Sequence, residues 1–318
     1  MKKSKLLFII ATSTMLMSCL DNSSYTYKGT TTLEISIAAP KGAPAAALHQ
    51  HLFEDKVDIN APTNVQTWFL TGTLDAIIAP TNAGVNLIRA KQAPYKLAAT
   101  VTFGNFFLVS TGNDENNTLD ADDSIFVPMS QADIPARLFN YAYASYNFSN
   151  ISYGGDNSTA ARNLILGYNE LEAGHPSLDY VVVAQPALST ALATNQKAKV
   201  VSSVQSKYKE VSSGKEIMQA SIFINNGLAK EKADGFLNQI EKETKELLDH
   251  PEIVKDVFAN VEDLQVQGKL TADKATFQNV IKDNSLGLGF KNAKANKDSI
   301  DKFLETIGVA STSEEIYY

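Results

Sequence analysis

The sequence predicts an α/β protein of two domains with mainly parallel sheets. Three observations predict it. The chain has 318 residues, 44% hydrophobic and 20% charged, an ordinary globular composition long enough for two cores. Its early part alternates short apolar, β-branched runs with helix-like segments, and a β-α-β-α-β order makes successive strands parallel. The composition then shifts: residues 111–123, TGNDENNTLDADD, are polar, acidic and nearly free of apolar side chains, which suits a crossover into a second domain.

At the start, Lys2, Lys3 and Lys5 precede an apolar run, residues 6–17, that is too short for a comfortable membrane span. It ends in Leu16-Met17-Ser18-Cys19. Cys19 is the only cysteine, so no intramolecular disulfide can form. The charged start, apolar run and lone cysteine in register resemble a bacterial lipoprotein signal, which implies cleavage before Cys19 and lipid (palmitate and related acyl chains) on it. Residues 21–32, rich in Ser, Thr and Asn, read as a flexible tether.

The first strand is expected at residues 33–37, continuing through 38–40. Lys41-Gly42-Ala43-Pro44 is a turn, and residues 45–53 are helical in composition, with Pro44 in the permitted first turn. A strand at 57–60 and a helix at 64–70, closed by Gly72, come next. Residues 76–79 suit a strand buried on both faces. It runs into Pro80-Thr81-Asn82, with Asn82 as N-cap of a helix opening at Ala83. Strands at 95–101 and 106–110 flank the polar loop Thr102-Phe103-Gly104-Asn105.

In the second half, a strand at 124–127 leads through Ser130, Gln131 and Asp133 into a helix at 134–145, with Ser130 or Asp133 as its cap. A strand at 151–153, a helix at 159–167, the strand 180–184 running into Gln185-Pro186, a helix at 187–194 and a strand at 199–204 follow. Residues 212–215 lead to a final strand, 220–224, returning to the first domain. The remainder reads as helical: Ala233, Phe236, Leu237, Ile240, Leu247 and Leu248 form one apolar stripe, Val254, Val257, Phe258 and Val261 a second, and 298–307 a last short helix. The domain limits are thus residues 31–115 with 216–318 for the first domain and 116–215 for the second, after a signal at 1–18 and a tether at 19–30.

Charge and motif content exclude several classes of chemistry. Net charge is −7, and only Arg89, Arg137 and Arg162 accompany 25 lysines, so no basic face for nucleic acid is expected. His49 and His51 point to different faces if helical, and there is no His-Glu-x-x-His, so no metal site is expected. Ser212-x-x-Lys215 lacks the partner motifs of serine penicillin-recognising enzymes, and Gly287-Leu288-Gly289 lacks the third glycine and preceding strand of a dinucleotide fingerprint. No cofactor is expected. What recurs is a set of short polar loops at strand ends, which together favour a cleft lined with backbone N–H groups and neutral donors.

Four segments carry a family resemblance: Ile35 to Pro44, Gly72 to Ala83, Tyr95 to Thr100 and Asp179 to Ala187. With the signal-like start and His250-Pro251-Glu252-Ile253-Val254, they resemble type II periplasmic-type substrate-binding lipoproteins of ABC importers. The nearest group is the nitrate/sulfonate/taurine branch, with its binders of thiamine-pyrimidine precursors. The resemblance implies two doubly wound α/β domains joined by two crossovers and closing over a small-molecule solute. It also implies ABC permease subunits as partners, a lipid-anchored position at the extracytoplasmic face of the cell membrane, and a monomer that is not an enzyme. By matching position, Gly42, Ala43, Pro44, Pro80, Thr81, Asn82, Ala83, Thr102, Gly104, Asn105, Ser130, Gln131, Asp133 and Gln185 would line the cleft. None of the three arginines falls in these loops, which speaks against a tightly held inorganic oxyanion. Phe103, Phe106 and Trp68 offer either stacking surface or core packing. An extracytoplasmic enzyme on the same fold, and a sensor or adhesion lipoprotein, stay open as alternatives.

Overall fold

The structure is a computed structural model that describes residues 25–90, 93–113, 118–166 and 178–318. Cys19, the signal-like start and His175 lie outside them. The chain begins with β1 (Ile37–Pro40), α1 (Ala43–Ala46), β2 (Val57–Asn60), α2 (Val65–Thr71), β3 (Ala76–Pro80), α3 (Thr81–Arg89) and β4 (Tyr95–Thr102). A second run holds β5 (Phe106–Ser110), β6 (Ser124–Pro128), α4 (Ile134–Ala142), β7 (Asn150–Gly154), α5 (Asn157–Leu166), β8 (Tyr180–Ala184), α6 (Ala187–Thr194), β9 (Lys199–Ser203) and α7 (Val204–Val211). The last contains β10 (Ala220–Asn225), α8 (Lys230–Asp249), α9 (Val254–Val257), α10 (Asp263–Leu270), α11 (Lys274–Lys282), β11 (Leu288–Asn292) and α12 (Lys297–Thr306).

Two sheets result, ordered β11-β4-β10-β3-β1-β2 and β7-β6-β8-β5-β9. In the first, β1 to β4 run one way and β10 and β11 oppose them; in the second, β5 opposes the other four. The reversed strands β5 and β10 have a common origin. Each is the first strand after the chain crosses between sheets, so each starts at the edge facing the other domain and runs away from it. The remaining strands of the second sheet, and β1 to β4 of the first, end at that edge. The central strands of both sheets are buried on both faces. Ile37, Ala39, Ile78 and Ile222 face one apolar cluster, and Ala38, Ile77, Ala79 and Phe223 face another. The second cluster continues into the second sheet through Leu108, Ile125, Val127 and Val182, and takes Ile300, Phe303 and Leu304 of α12. The other face of that sheet packs Val109, Phe126, Val181 and Val183 under α5 and α6.

At the far edge, the two domains use the same clasp. Ser36 donates its N–H (2.8 Å) and hydroxyl (2.9 Å) to one Asp75 carboxylate oxygen, and Asp75 N–H donates back to Ser36 Oγ at 3.0 Å. Ser124 and Asp179 repeat the arrangement at 2.9, 2.7 and 3.0 Å. Each clasp fixes the start of one parallel strand against its neighbour, where no ladder bond precedes to set register.

Several expectations are corrected. The first crossing is not residues 111–123: β5 pairs with β8 and β9, so the chain crosses at residues 103–105. The polar composition of 111–123 belongs to a connection within the second domain. The first strand begins at Ile37, after the clasp at Ser36. The helix expected at 45–53 is the single turn α1, followed by tight turns with i→i+3 bonds such as Leu48 N–H to Ala45 O and His51 N–H to Leu48 O. Asn82 is not an N-cap; α3 opens at Thr81, with Pro80 in the cap position. The helix at 134–145 ends at Ala142 and finishes as a 3-10 turn, Ala144–Tyr146. The C-terminal part is not all helical, because β11 pairs with β4, and α7 is a helix the sequence pattern did not reveal. Residues 25–31 of the expected tether are docked: Tyr25 stacks on His250 at 3.7 Å and bonds Glu246, Tyr27 bonds Gln50 at 2.7 Å, and Thr30 bonds Glu243.

Candidate functional site

The two crossings run side by side between the sheets. Residues 103–105 lead out of the first sheet, and 212–219 lead back. Gln219 N–H donates to Thr102 O at 2.9 Å, and Asn105 Nδ2 donates to Gln185 O at 2.9 Å. Close backbone approach makes this possible. A Cβ at Gly287 would sit 2.1 Å from Gly104 O, and one at Gly289 would sit 2.8 Å from the Phe103 ring. The glycine pair that failed as a dinucleotide motif admits the crossover instead.

Beside the crossings, a cavity of about 320 Å³ opens between the sheets. Pro44, Pro80, Asn82, Gln219, Ala220 and Ile307 form one wall. Phe106, Met129, Asp133, Ile134, Pro135 and Arg137 form most of the other. The strand-edge geometry accounts for the set: Pro80 ends β3, Phe106 and Ala220 begin the reversed strands, and Met129 and Asp133 follow β6. Met129 holds a φ of 70°, the left-handed region that disfavours its side chain, which stands exposed at the cavity.

The electrostatics rest on one charge of each sign. Asp133 Oδ2 accepts Ser130 N–H at 2.8 Å and Ser130 Oγ–H at 2.7 Å, and these bonds hold its pKa below the usual carboxylate value. Ser130 and Asp133 therefore act on each other at the start of α4, and no side-chain bond caps the helix N–H groups. Arg137 Nε donates to Ala132 O at 2.6 Å. Among the described residues the guanidinium has no ion pair, although it lies one helical turn from Asp133. Two acceptors in the opposite wall, Asn82 Oδ1 and Gln219 Oε1, are buried and without a hydrogen-bond partner. Buried acceptors left in that state cost about 1–3 kcal/mol each.

Of the residues expected to line the cleft, the cavity brings together Pro44, Pro80, Asn82 and Asp133. The others support it or stand apart. Gly42, at φ 89°, donates its N–H to Lys269 O at 3.0 Å, and Ala43 is buried at the start of α1. Thr81 is fully buried, its hydroxyl 2.7 Å from Ser221 Oγ, and Ala83 packs against the shared core. Thr102 is buried with an unpartnered hydroxyl, and Gly104 and Asn105 belong to the crossover. Gln131 is exposed outside the cavity wall. Gln185 accepts Ser189 Oγ–H at 2.8 Å and donates to Ser285 Oγ at 3.2 Å, so its amide ties α6 to the loop before β11. Phe106 lines the cavity, whereas Trp68 is core and Phe103 lies under Lys291, 5.5 Å from the ring centroid.

Arg137, Met129, Gln219 and Ile307 were missed. Arg137 alone left a signal. Helical side chains tilt toward the helix N-terminus, so an arginine one turn into α4 reaches back over the loop that precedes it. Larger depressions of about 660 and 720 Å³ lie against α12 and beneath residues 25–31, and one of about 650 Å³ is lined by Phe103, Gly104, Phe107 and Ser203 at the outgoing crossing.

The histidine pair lies under that docked segment and is built as structure. His51 Nδ1 is 2.7 Å from Glu54 and its Nε2 is 2.8 Å from Glu243. Burial alone would lower its pKa, but the two carboxylates outweigh burial and hold it above the usual value. His49 is fully buried with no partner for either ring nitrogen, and burial pushes its pKa down to about 4. Among the described residues no group of three or more His, Cys, Asp or Glu is placed to hold a metal, and no helix is long and apolar enough to cross a membrane.

No protein-family model matches the chain, and no curated protein sequence does. Solved structures do. The chain is similar to an ABC transporter protein from Parabacteroides distasonis, at 14% identity and TM-score 0.68, over 91% of this chain and 99% of that one. It is similar to the periplasmic aliphatic sulphonate binding protein SsuA from Escherichia coli, at 12% identity and TM-score 0.58, over 88% and 89%. A third is the zinc-bound ligand-binding component of an ABC-type import system from Staphylococcus aureus, at 12% identity and TM-score 0.56, over 90% and 96%. At these identities the likeness concerns architecture: the chain has the two-domain α/β fold of periplasmic binding proteins.

Proposed function

We propose that this protein captures a small organic solute between its two domains and delivers it to an ABC importer, working as a monomer held at the extracytoplasmic face of the membrane by lipid on Cys19. The observation that carries this reading is the cavity of about 320 Å³ walled by strand ends of both sheets, at the low end of the size range for ligand pockets. The named neighbours of like fold are an ABC transporter protein, the ligand-binding component of an ABC-type import system and a periplasmic sulphonate binding protein, which supports transport over the alternatives. The Ser18-Cys19 junction supports the anchor.

The test is a thermal-shift screen of the purified chain against organic solutes of this size, followed by small-angle scattering with and without each hit. A raised melting midpoint with a smaller radius of gyration is the expected result. No shift from any solute sinks the proposal. Labelled palmitate incorporated into the wild type but not into Cys19→Ser checks the anchor separately.

A further inference from the structure

Resting on that reading, we infer that the solute is a compact organic molecule carrying one anionic group, which Arg137 receives, and at least one N–H donor, which Asn82 and Gln219 receive. All three residues line one cavity. Among the described residues Arg137 is the only cation in the lining, and it has spent one N–H on Ala132 O, leaving its two terminal nitrogens to form the forked contact that a carboxylate or similar group accepts. Opposite it, Asn82 Oδ1 and Gln219 Oε1 are buried acceptors without donors.

Asp133 sets the sign of the rest. It lies one turn before Arg137 and is kept ionised by Ser130. A ligand with several negative charges meets repulsion there, whereas a ligand nitrogen that carries hydrogens is attracted. An inorganic oxyanion would satisfy Arg137 and leave both amide oxygens unpaired. A purely apolar acid would do the same. Phe106, Ile134 and Pro80 supply a surface for a small hydrocarbon body between the two polar ends.

The test is a set of matched compounds: the twenty proteinogenic amino acids, their decarboxylated amines, their deaminated acids, and sulfate, nitrate and neutral sugars, each measured for affinity against the purified chain. Compounds with both groups are expected to bind at least about tenfold tighter than either truncated partner. Arg137→Gln should weaken them by about 10- to 100-fold with the unliganded melting midpoint unchanged, and Arg137→Lys should restore part of the loss. Asn82→Leu should bring them to the level of their deaminated acids while leaving those acids unaffected. If the arginine variants do not fold, the matched compounds and Asn82→Leu carry the test. Tight binding of sugars or amines, indifferent to Arg137→Gln, would overturn the ligand class and leave the cleft proposal standing. Sulfate or nitrate binding as tightly as amino acids would overturn the N–H requirement. Binding by nothing in the set overturns both.

Discussion

His49→Leu should make the protein less sensitive to acid. Both ring nitrogens of His49 are buried with no hydrogen-bond partner among the described side chains, and burial lowers its pKa from 6.5 to about 4, with Glu243 and the Ala46 backbone opposing the shift and the His51 charge adding to it. The sign follows from linkage. Above pH 6.5 the residue is neutral in both states and the term is zero. As pH falls, the unfolded chain takes up a proton that the folded chain refuses, so stability is lost from 6.5 downward and the loss levels off below the folded pKa. The gap between 6.5 and about 4, at 1.36 kcal/mol per pH unit, amounts to about 3 kcal/mol. Leucine has a similar volume and no polar atoms, so at pH 7 the variant should match the wild type within about 1 kcal/mol or exceed it.

The assay is urea unfolding of both proteins at half-unit steps from pH 7 to 4. Carboxylates elsewhere titrate equally in both, so the difference between the two curves isolates His49. It should widen in favour of the variant as pH falls. His51 contributes with the opposite sign: its raised pKa adds stability that is full below 6.5 and fades as pH rises through the folded value, and it remains in the variant. Parallel curves from pH 7 to 4 would show that His49 is protonated in the fold and refute the reasoning.

Two further substitutions test the frame around the cavity. A Cβ at Gly84 of α3 would lie 2.2 Å from the tip of Phe223, which is fully buried and edge-on to Phe69; Gly84→Ala should therefore lower stability by about 1–2 kcal/mol despite alanine's better helix propensity, and a raised melting midpoint would refute the contact. Asp179→Ala and Asp75→Ala should each cost about 2 kcal/mol in urea unfolding, with the Asn variants losing less because an acceptor remains; losses below about 0.5 kcal/mol would deny the paired clasps a role in stability.

The strands were legible because burial on both faces forces apolar, β-branched runs. Ile77 and Ile78, or Val181 and Val182, leave no ambiguity of face, and β2, β5, β8 and α6 fall at the predicted limits. The failures are places where tertiary pairing overrides local pattern. Phe106 begins a strand that reads like its predecessors, and nothing local says that it belongs to the other sheet. Residues 111–123 look like a linker because their composition is polar and acidic, although β5 before them and β6 after them belong to one sheet. β11 pairs through a glycine-containing segment whose glycines serve the crossover, so its composition masks its pairing with β4. Ala45 to Leu52 is apolar enough for a helix but is buried on nearly every side, and tight turns meet that requirement as well as a helix would.

The cleft was legible as backbone and not as side chains, for a physical reason. Loops at strand ends can be found from composition, because turns and caps require particular residues. The groups that face the cavity come from wherever the fold brings them: Arg137 from the first turn of a helix, Gln219 from the returning crossover, and Ile307 from the end of α12, more than eighty residues further on. The same geometry removes most of the predicted loop residues from the wall. Thr81 bonds to Ser221 within the first sheet, Asn105 to the Gln185 carbonyl and Gln185 to Ser189 at the start of α6, so they shape the cavity without lining it. Asn82 and Gln219 differ, since each keeps an amide oxygen that no described residue satisfies. Arg137 and two amide oxygens that no described residue satisfies, belonging to residues around one cavity, describe a ligand more closely than the loop sequence could.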